Sequence, residues 1–341
     1  MRICLIGNYS SSPDDSHQVS TGRLADNLGK SNKVLPLSVG AVRRLSFWKE
    51  IRSFHPEIIH YVPGASLNSF LLVKLLSIYV RNTATVVSVG RPYFSNTSAR
   101  FLRFVKPDLA LVQSGVTDHR LQNLGFRTRF LPGGVDVDKF IPVAAETKLA
   151  LREKYGLDTG KPVLLHVGSV KVGRGVLALA EVQRSCPDVQ VLILGPTSVG
   201  FSQETKSALE TAGCLVRMGY IKDINEMYAL SDMYLYPTVV LKDSAGRDIA
   251  DSAEAPLSVF EAMSCNLPIV ASRFGALPSM FTEGDGFYFA EPGEFSKCVR
   301  TILSGGQEIK TRERILPYSW PNISKQLESI YCTLLSRYKN Q

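Results

Sequence analysis

Short apolar runs recur along the first half of the chain, separated by helix-like or polar stretches. Arg2 to Ile6 reads as a buried strand ending at Gly7, and Thr21 to Lys30 as a helix. Val34 to Leu37 and Ile58 to Val62 predict two more strands, the latter stopped by Pro63-Gly64. Thr85 to Val89 and Leu109 to Val112 repeat the pattern. Strands alternating with helices at this spacing predict a parallel sheet covered on both faces. Leu131 to Asp136 then breaks the periodicity and reads as the approach to a linker. A second cycle begins after Lys161-Pro162. Val163 to Val167 ends at Gly168, Val189 to Leu194 ends at Gly195-Pro196, Met233 to Tyr236 stops at Pro237, and Pro268 to Ala271 follows a helical segment. Two α/β domains, residues 1–142 and 143–321, are expected, with ligands in a cleft beside the carboxyl ends of both sheets.

Composition changes this picture little, but charge changes it more. The chain has 341 residues, 45% of them hydrophobic and 21% charged, as in an ordinary globular protein. The longest apolar stretch, Leu67 to Val80, contains Asn68 and Lys74 and is too short to span a bilayer. The opening has only a brief apolar run before Asn8, which predicts no secretory signal and a cytoplasmic protein. Six scattered cysteines show no metal-binding spacing, so reduced thiols and no metal are expected. Residues 1–142 hold 18 of the 39 Lys and Arg but only 9 of the 31 Asp and Glu, which places the whole positive excess there. That half is expected to meet something anionic: a membrane surface, a phosphorylated acceptor or, least supported, a nucleic acid, for which no binding motif is present. Val42 to Phe54 sets Leu45, Trp48, Ile51 and Phe54 near helical spacing among Arg43, Arg44, Lys49 and Arg52. Such a helix lies either on an anionic bilayer or against its own sheet with a solvated basic edge.

The segment from Ala253 to Ser272 carries the most chemistry. Pro256 suits the first turn of a helix running to Met263. Backbone N–H groups near Leu257 and Ser258 would then hold a diphosphate, and Glu261, one turn on, would accept both hydroxyls of a ribose. A solvated glutamate on an amphipathic helix is the alternative.

This segment resembles the signature of the retaining glycosyltransferases of family four, in which two glutamates flank a turn before a Glu-Ala-Met helix and a Pro-Ile-Val-Ala strand. Other stretches agree in order. Leu131 to Phe140 is similar to the family's linker-proximal segment, and Leu164 to Gly175 to its phosphate-binding strand and loop. Gly219-Tyr220-Ile221 resembles its base-binding turn, and Tyr318-Ser319-Trp320 the lead into its last helix. The resemblance implies a GT-B fold, two Rossmann-like domains facing across a cleft, with a C-terminal helix from about 322 to 341 returning to the first. It implies transfer of a sugar from a nucleotide-sugar to a glycan, lipid-linked or other acceptor with retention of configuration, and no cofactor. Gly168, Ser169, Tyr220, Ile221, Pro256, Leu257, Ser258 and Glu261 fall at donor-binding positions.

Several positions depart from the family pattern. Ser169 stands where the family has arginine, and Arg174 where it has lysine; Lys171 is the candidate to replace the missing charge. The first family glutamate is Ala253 here, leaving Glu254 one residue later as the candidate for the donor sugar, with Asp248 and Asp251 behind it. On the acceptor side, Thr21-Gly22 replaces a glycine pair, and Gly90-Arg91 replaces a histidine; Arg91, with Arg100, Arg103 and Lys106, would grip an acceptor phosphate. A degenerate protein of this fold that binds a nucleotide or glycan without transfer is the alternative function.

Overall fold

All strands of two six-stranded sheets run parallel, and the central ones are short, mainly apolar runs buried on both faces. The computed structural model describes residues 1–9, 16–90, 92–93, 101–102, 104–172, 174–197, 200–239, 241–242, 248–249 and 255–338. The chain divides into two units. The first holds Met1–Gly134, Ala255 and Trp320–Gln341; the second holds Val135–Ile249 and Pro256–Ser319.

In the first unit the strands are β1 (Arg2–Gly7), β2 (Lys33–Ser38), β3 (Ile58–Tyr61), β4 (Ala84–Val89), β5 (Leu109–Val112) and β6 (Thr128–Phe130), in the order β2-β1-β3-β4-β5-β6. Helices Leu45–Phe54 and Leu67–Val80 pack on this sheet through Phe47, Ile51, Phe70, Val73 and Leu76. Most of the Leu45–Phe54 stripe meets the fold: Ile51 is buried, and Trp48 donates to the Val42 carbonyl and packs on Tyr79, while Leu45 is exposed. The C-terminal helix Trp320–Tyr338 belongs to this unit. Its Tyr331 hydroxyl lies 2.6 Å from His60 Nδ1, and His60 Nε2 lies 2.8 Å from Ser88 Oγ, so one buried ring ties the helix to β3 and β4.

In the second unit the strands are β7 (Val163–Val167), β8 (Gln190–Gly195), β9 (Leu215–Met218), β10 (Met233–Tyr236), β11 (Ile269–Ala271) and β12 (Phe287–Phe289), in the order β9-β8-β7-β10-β11-β12. The winding reverses between β7 and β10, the position where open α/β sheets hold ligands. Asp232 joins the base of this sheet to helix Ala145–Lys154: it accepts from the Val163 N–H at 2.8 Å, from Lys148 at 3.0 Å and from Arg152.

The structure corrects the sequence expectations in four places. The second unit begins at Val135, not near 142, because Arg312 donates to the Val137 and Phe140 carbonyls and Ser264 donates to Phe140. The first helix spans Ser16–Leu28 rather than Thr21 to Lys30. The last begins at Trp320, whose ring lies against Gly134 so closely that a β-carbon there would meet it at 2.5 Å. Strands β6, β9 and β12 went unanticipated. All three are short edges of their sheets and not wholly buried, so their apolar period is weak.

Two histidines are held neutral by burial. The His60 pKa falls from 6.5 to about 3, and that of His166, whose Nδ1 donates to the Leu235 carbonyl at 2.8 Å, falls to about 4. The unfolded chain therefore takes up these protons first, and stability is lost as pH drops from 6.5 toward those values, by up to about 1.4 kcal/mol per pH unit for each ring. Urea midpoints recorded from pH 7 to 4.5 are expected to fall steadily, with a shallower slope in His60→Asn; an equal slope in that variant would contradict the assignment.

Candidate functional site

The expected donor residues gather at the carboxyl edge of the second sheet, around its reversal point. The loop after β7 carries Gly168, Ser169, Lys171 and Arg174. Gly168 is required because the neutral His166 ring lies beneath it: a β-carbon would stand 2.8 Å from Nε2. Val170 is fully buried and pins the loop, its carbonyl accepting from the Ser202 N–H at 2.8 Å. Gly168, Ser169 and Lys171 are half-buried, and Arg174 is buried. The loop closes on Gly175, whose φ of +73° and approach to Pro237 leave no room for a side chain. A β-carbon there would lie 2.1 Å from the Pro237 carbonyl oxygen.

The Leu257–Ser264 helix meets this edge. Pro256 is its N-cap, with φ −71° and ψ 114°, rather than part of its first turn. It supplies no side-chain cap, and the first turn carries no acid. The Val259 N–H donates to the Pro256 carbonyl at 3.1 Å, and among the described residues no side chain caps the N–H groups of Leu257 and Ser258. Val259, Phe260, Ala262 and Met263 are buried, which leaves Leu257, Ser258 and Glu261 as the half-buried side of the helix.

Two tyrosines that the sequence reading did not single out organise these parts. Tyr234 of β10 donates to the Val167 carbonyl at 3.1 Å and hydrogen-bonds with Ser258, so one hydroxyl links the end of β7 to the start of the helix. Tyr228 stacks on Tyr234 with ring centroids 5.9 Å apart and donates to Glu261 Oε2 at 2.7 Å. Burial is the main cause that raises the Glu261 carboxyl from 4.5 to about 7; the Tyr228 bond and Lys139 draw it back, and Asp136 pushes it further up. A carboxylate placed so gains from further hydroxyl donors. A tyrosine two residues after Glu226 and another second in a short apolar strand were the available signals, and neither has a distinctive pattern.

Tyr220 and Ile221 stand on the same edge two strands away, after Gly219 at φ +113°. Tyr220 is exposed and Ile221 half-buried. Glu254, Asp251 and the side chain of Asp248 lie outside the described residues, as do Arg91, Arg100 and Arg103. On the first sheet, Thr21 is fully buried against Gly7, where a β-carbon would meet it at 2.1 Å, so it supports the end of β1 instead of facing an acceptor. Gly22 is half-buried with open space above its α-carbon. Lys106 donates to the Gly125 carbonyl at 3.0 Å and lies over the Phe126 ring, a local structural role. Among the described residues no cluster of His, Cys, Asp and Glu is placed to hold a metal ion.

Residues 161–305 match the family described as glycosyl transferases group 1. The sulfoquinovosyl transferase SQD2 of Arabidopsis thaliana is 28% identical over 301 residues, covering 82% of this chain and 55% of that protein. The chain spans a little over half the length of the first curated relatives it matches. Among solved structures, Anabaena HepE in complex with UDP and glucose matches 98% of this chain and 100% of its own, with a TM-score of 0.75 at 15% identity. Sucrose-phosphate synthase from Thermosynechococcus elongatus matches 98% and 99%, with a TM-score of 0.78 at 16% identity. The chain thus has the GT-B fold, two Rossmann-like units, and its residues 161–305 are similar to the family described as glycosyl transferases group 1.

Proposed function

We propose that the protein transfers a sugar from a nucleotide-sugar donor, with retention of configuration, and binds that donor on the carboxyl edge of its second sheet. The observation that carries this reading is the convergence on that edge of the buried Arg174, a helix start without a side-chain cap and a half-buried glutamate held by a tyrosine. The matching family, the name of SQD2 and the UDP and glucose bound by HepE support it.

In this reading the diphosphate sits on the N–H groups of Leu257 and Ser258, where the helix dipole favours negative charge. Glu261 accepts the ribose hydroxyls, and Tyr220 and Ile221 flank the base. As the sugar leaves, charge grows on the diphosphate, and Arg174, with Lys171, neutralises it without a bound metal. Glu254 contacts the donor sugar. The acceptor, a glycan or phosphorylated lipid-linked molecule, is assigned to the basic first unit, with Gly22 and Arg91 as its contacts.

The test is incubation with a panel of UDP-, GDP-, ADP- and CMP-sugars, following thermal shift and release of free nucleotide. One donor is expected to stabilise the protein and be slowly hydrolysed. Stabilisation without release, with glycan and polyprenyl-phosphate acceptors added, would favour a binding protein that does not transfer. With the donor so identified, Arg174→Ala is expected to lower turnover about a hundredfold or more. Arg174→Lys, which keeps the charge, should recover much of that loss; equal turnover in all three proteins would remove Arg174 from the site.

Nucleotide binding is also expected to depend on pH through Glu261. The free carboxyl titrates near 7, and hydroxyl donors favour its ionised form, so affinity should rise as pH climbs from 6 to 8 and then level off. Binding at pH 7 should release protons, seen calorimetrically as an enthalpy that changes with buffer. Glu261→Gln should abolish the pH dependence and weaken binding about tenfold or more. A wild-type affinity that is flat across that range would contradict the assignment.

A further inference from the structure

The outward side of two neighbouring helices in the first unit is apolar and basic at once. In the Leu67–Val80 helix, Phe70, Val73 and Leu76 are buried, while Leu71, Leu75 and Ile78 on the other side are 41, 56 and 62% exposed. Their spacing of four and three residues makes one continuous stripe. Lys74 lies within it, Arg81 follows at its end, both exposed, and the helix contains no acid. The Leu45–Phe54 helix stands alongside: Trp48 meets Tyr79 edge-on with centroids 5.3 Å apart, and the Arg52 guanidinium lies 5.4 Å from the centre of the Tyr79 ring. It adds Leu45, 78% exposed, and the exposed Arg43, Arg44, Lys49 and Arg52, against the single acid Glu50.

We propose that this two-helix face docks on an anionic lipid bilayer, with Leu71, Leu75 and Ile78 entering the interface and the surrounding cations lying on headgroup phosphates. A helix apolar on both sides has one side for its own sheet and needs a second apolar environment for the other. Lysine and arginine beside such a stripe keep their charges in the headgroup layer while their stems lie on the apolar boundary. Charge selects the occupant. Six cations against one acid repel a second copy docking face to face, whereas a bilayer of negative surface potential attracts each cation by about fivefold in affinity. No helix among the described residues is long and apolar enough to cross a membrane, so the contact is peripheral. The proposal stands independently of the donor-site reading, since every residue in it belongs to the first unit.

Co-sedimentation of the full chain with phosphatidylcholine vesicles, with and without phosphatidylglycerol, tests this. Binding is expected only with phosphatidylglycerol and should weaken in high salt. The triple variant Leu71→Gln, Leu75→Gln, Ile78→Gln should bind about tenfold or more weakly, and so should Lys74→Glu with Arg81→Glu. Lys297→Glu with Lys325→Glu makes the same charge change at exposed positions elsewhere and should bind as wild type does. Unchanged melting temperatures would show that all variants fold, and nucleotide release without vesicles should be alike in all. No vesicle binding, or equal binding by the triple variant, overturns the proposal. Light scattering that shows an oligomer which the triple variant dissociates would assign the face to a second copy and overturn it as well.

Discussion

The second unit depends on the close approach of the Gly175 backbone to the carbonyl of Pro237. At 2.1 Å from a would-be β-carbon, that carbonyl excludes every residue but glycine, and φ of +73° excludes most for a second reason. The contact presses the loop after β7 onto the end of β10, across the point where the sheet reverses. Arg174, one residue earlier, is buried by that closure. From the same strand, Tyr234 reaches both Val167 and Ser258. The phosphate-loop candidate, two strand ends and a helix start are therefore one packed body. Electrostatic stabilisation of a leaving group needs charges and dipoles fixed before the reaction, and this packing fixes them.

Glu261 shows the cost of such a site. Burial raises the pKa of its carboxyl, and the tyrosine donor draws it only partly back. The helix that carries it is anchored by the buried Phe260, Met263 and Ser264. The penalty is carried by the free protein and relieved when hydroxyl donors arrive. His60 and His166 use burial differently: both keep neutral rings that join backbone or side-chain partners, because burial disfavours the charged form of each.

What the sequence made legible follows from what was buried. Central strands such as Val163–Val167 and Ile58–Tyr61 are apolar apart from one buried histidine each and are soon followed by Gly or Pro, so pattern located them within a residue or so. Edge strands such as Leu215–Met218 are half-exposed and carry an arginine, and they left no clear period. Glu261 and the Leu257 helix start were named from the Pro256 segment, and Arg174 through the resemblance to family four. Tyr228, Tyr234 and Gly175 were not legible, because their roles arise from contacts between segments far apart in the chain. Thr21 misled for the same reason: only the fold places Gly7 against it. The basic Leu45–Phe54 helix stayed ambiguous, since amphipathic spacing cannot say whether the apolar side meets a sheet or a bilayer; in the fold Phe47 and Ile51 meet the sheet.

The most direct test of the central claim is a crystal structure of the protein with a nucleoside diphosphate bound. The account predicts phosphate oxygens within about 3 Å of the Leu257 and Ser258 N–H groups, with Arg174 beside them and both ribose hydroxyls on Glu261. A nucleotide held anywhere else, with Glu261 still bonded to Tyr228 alone, would contradict it.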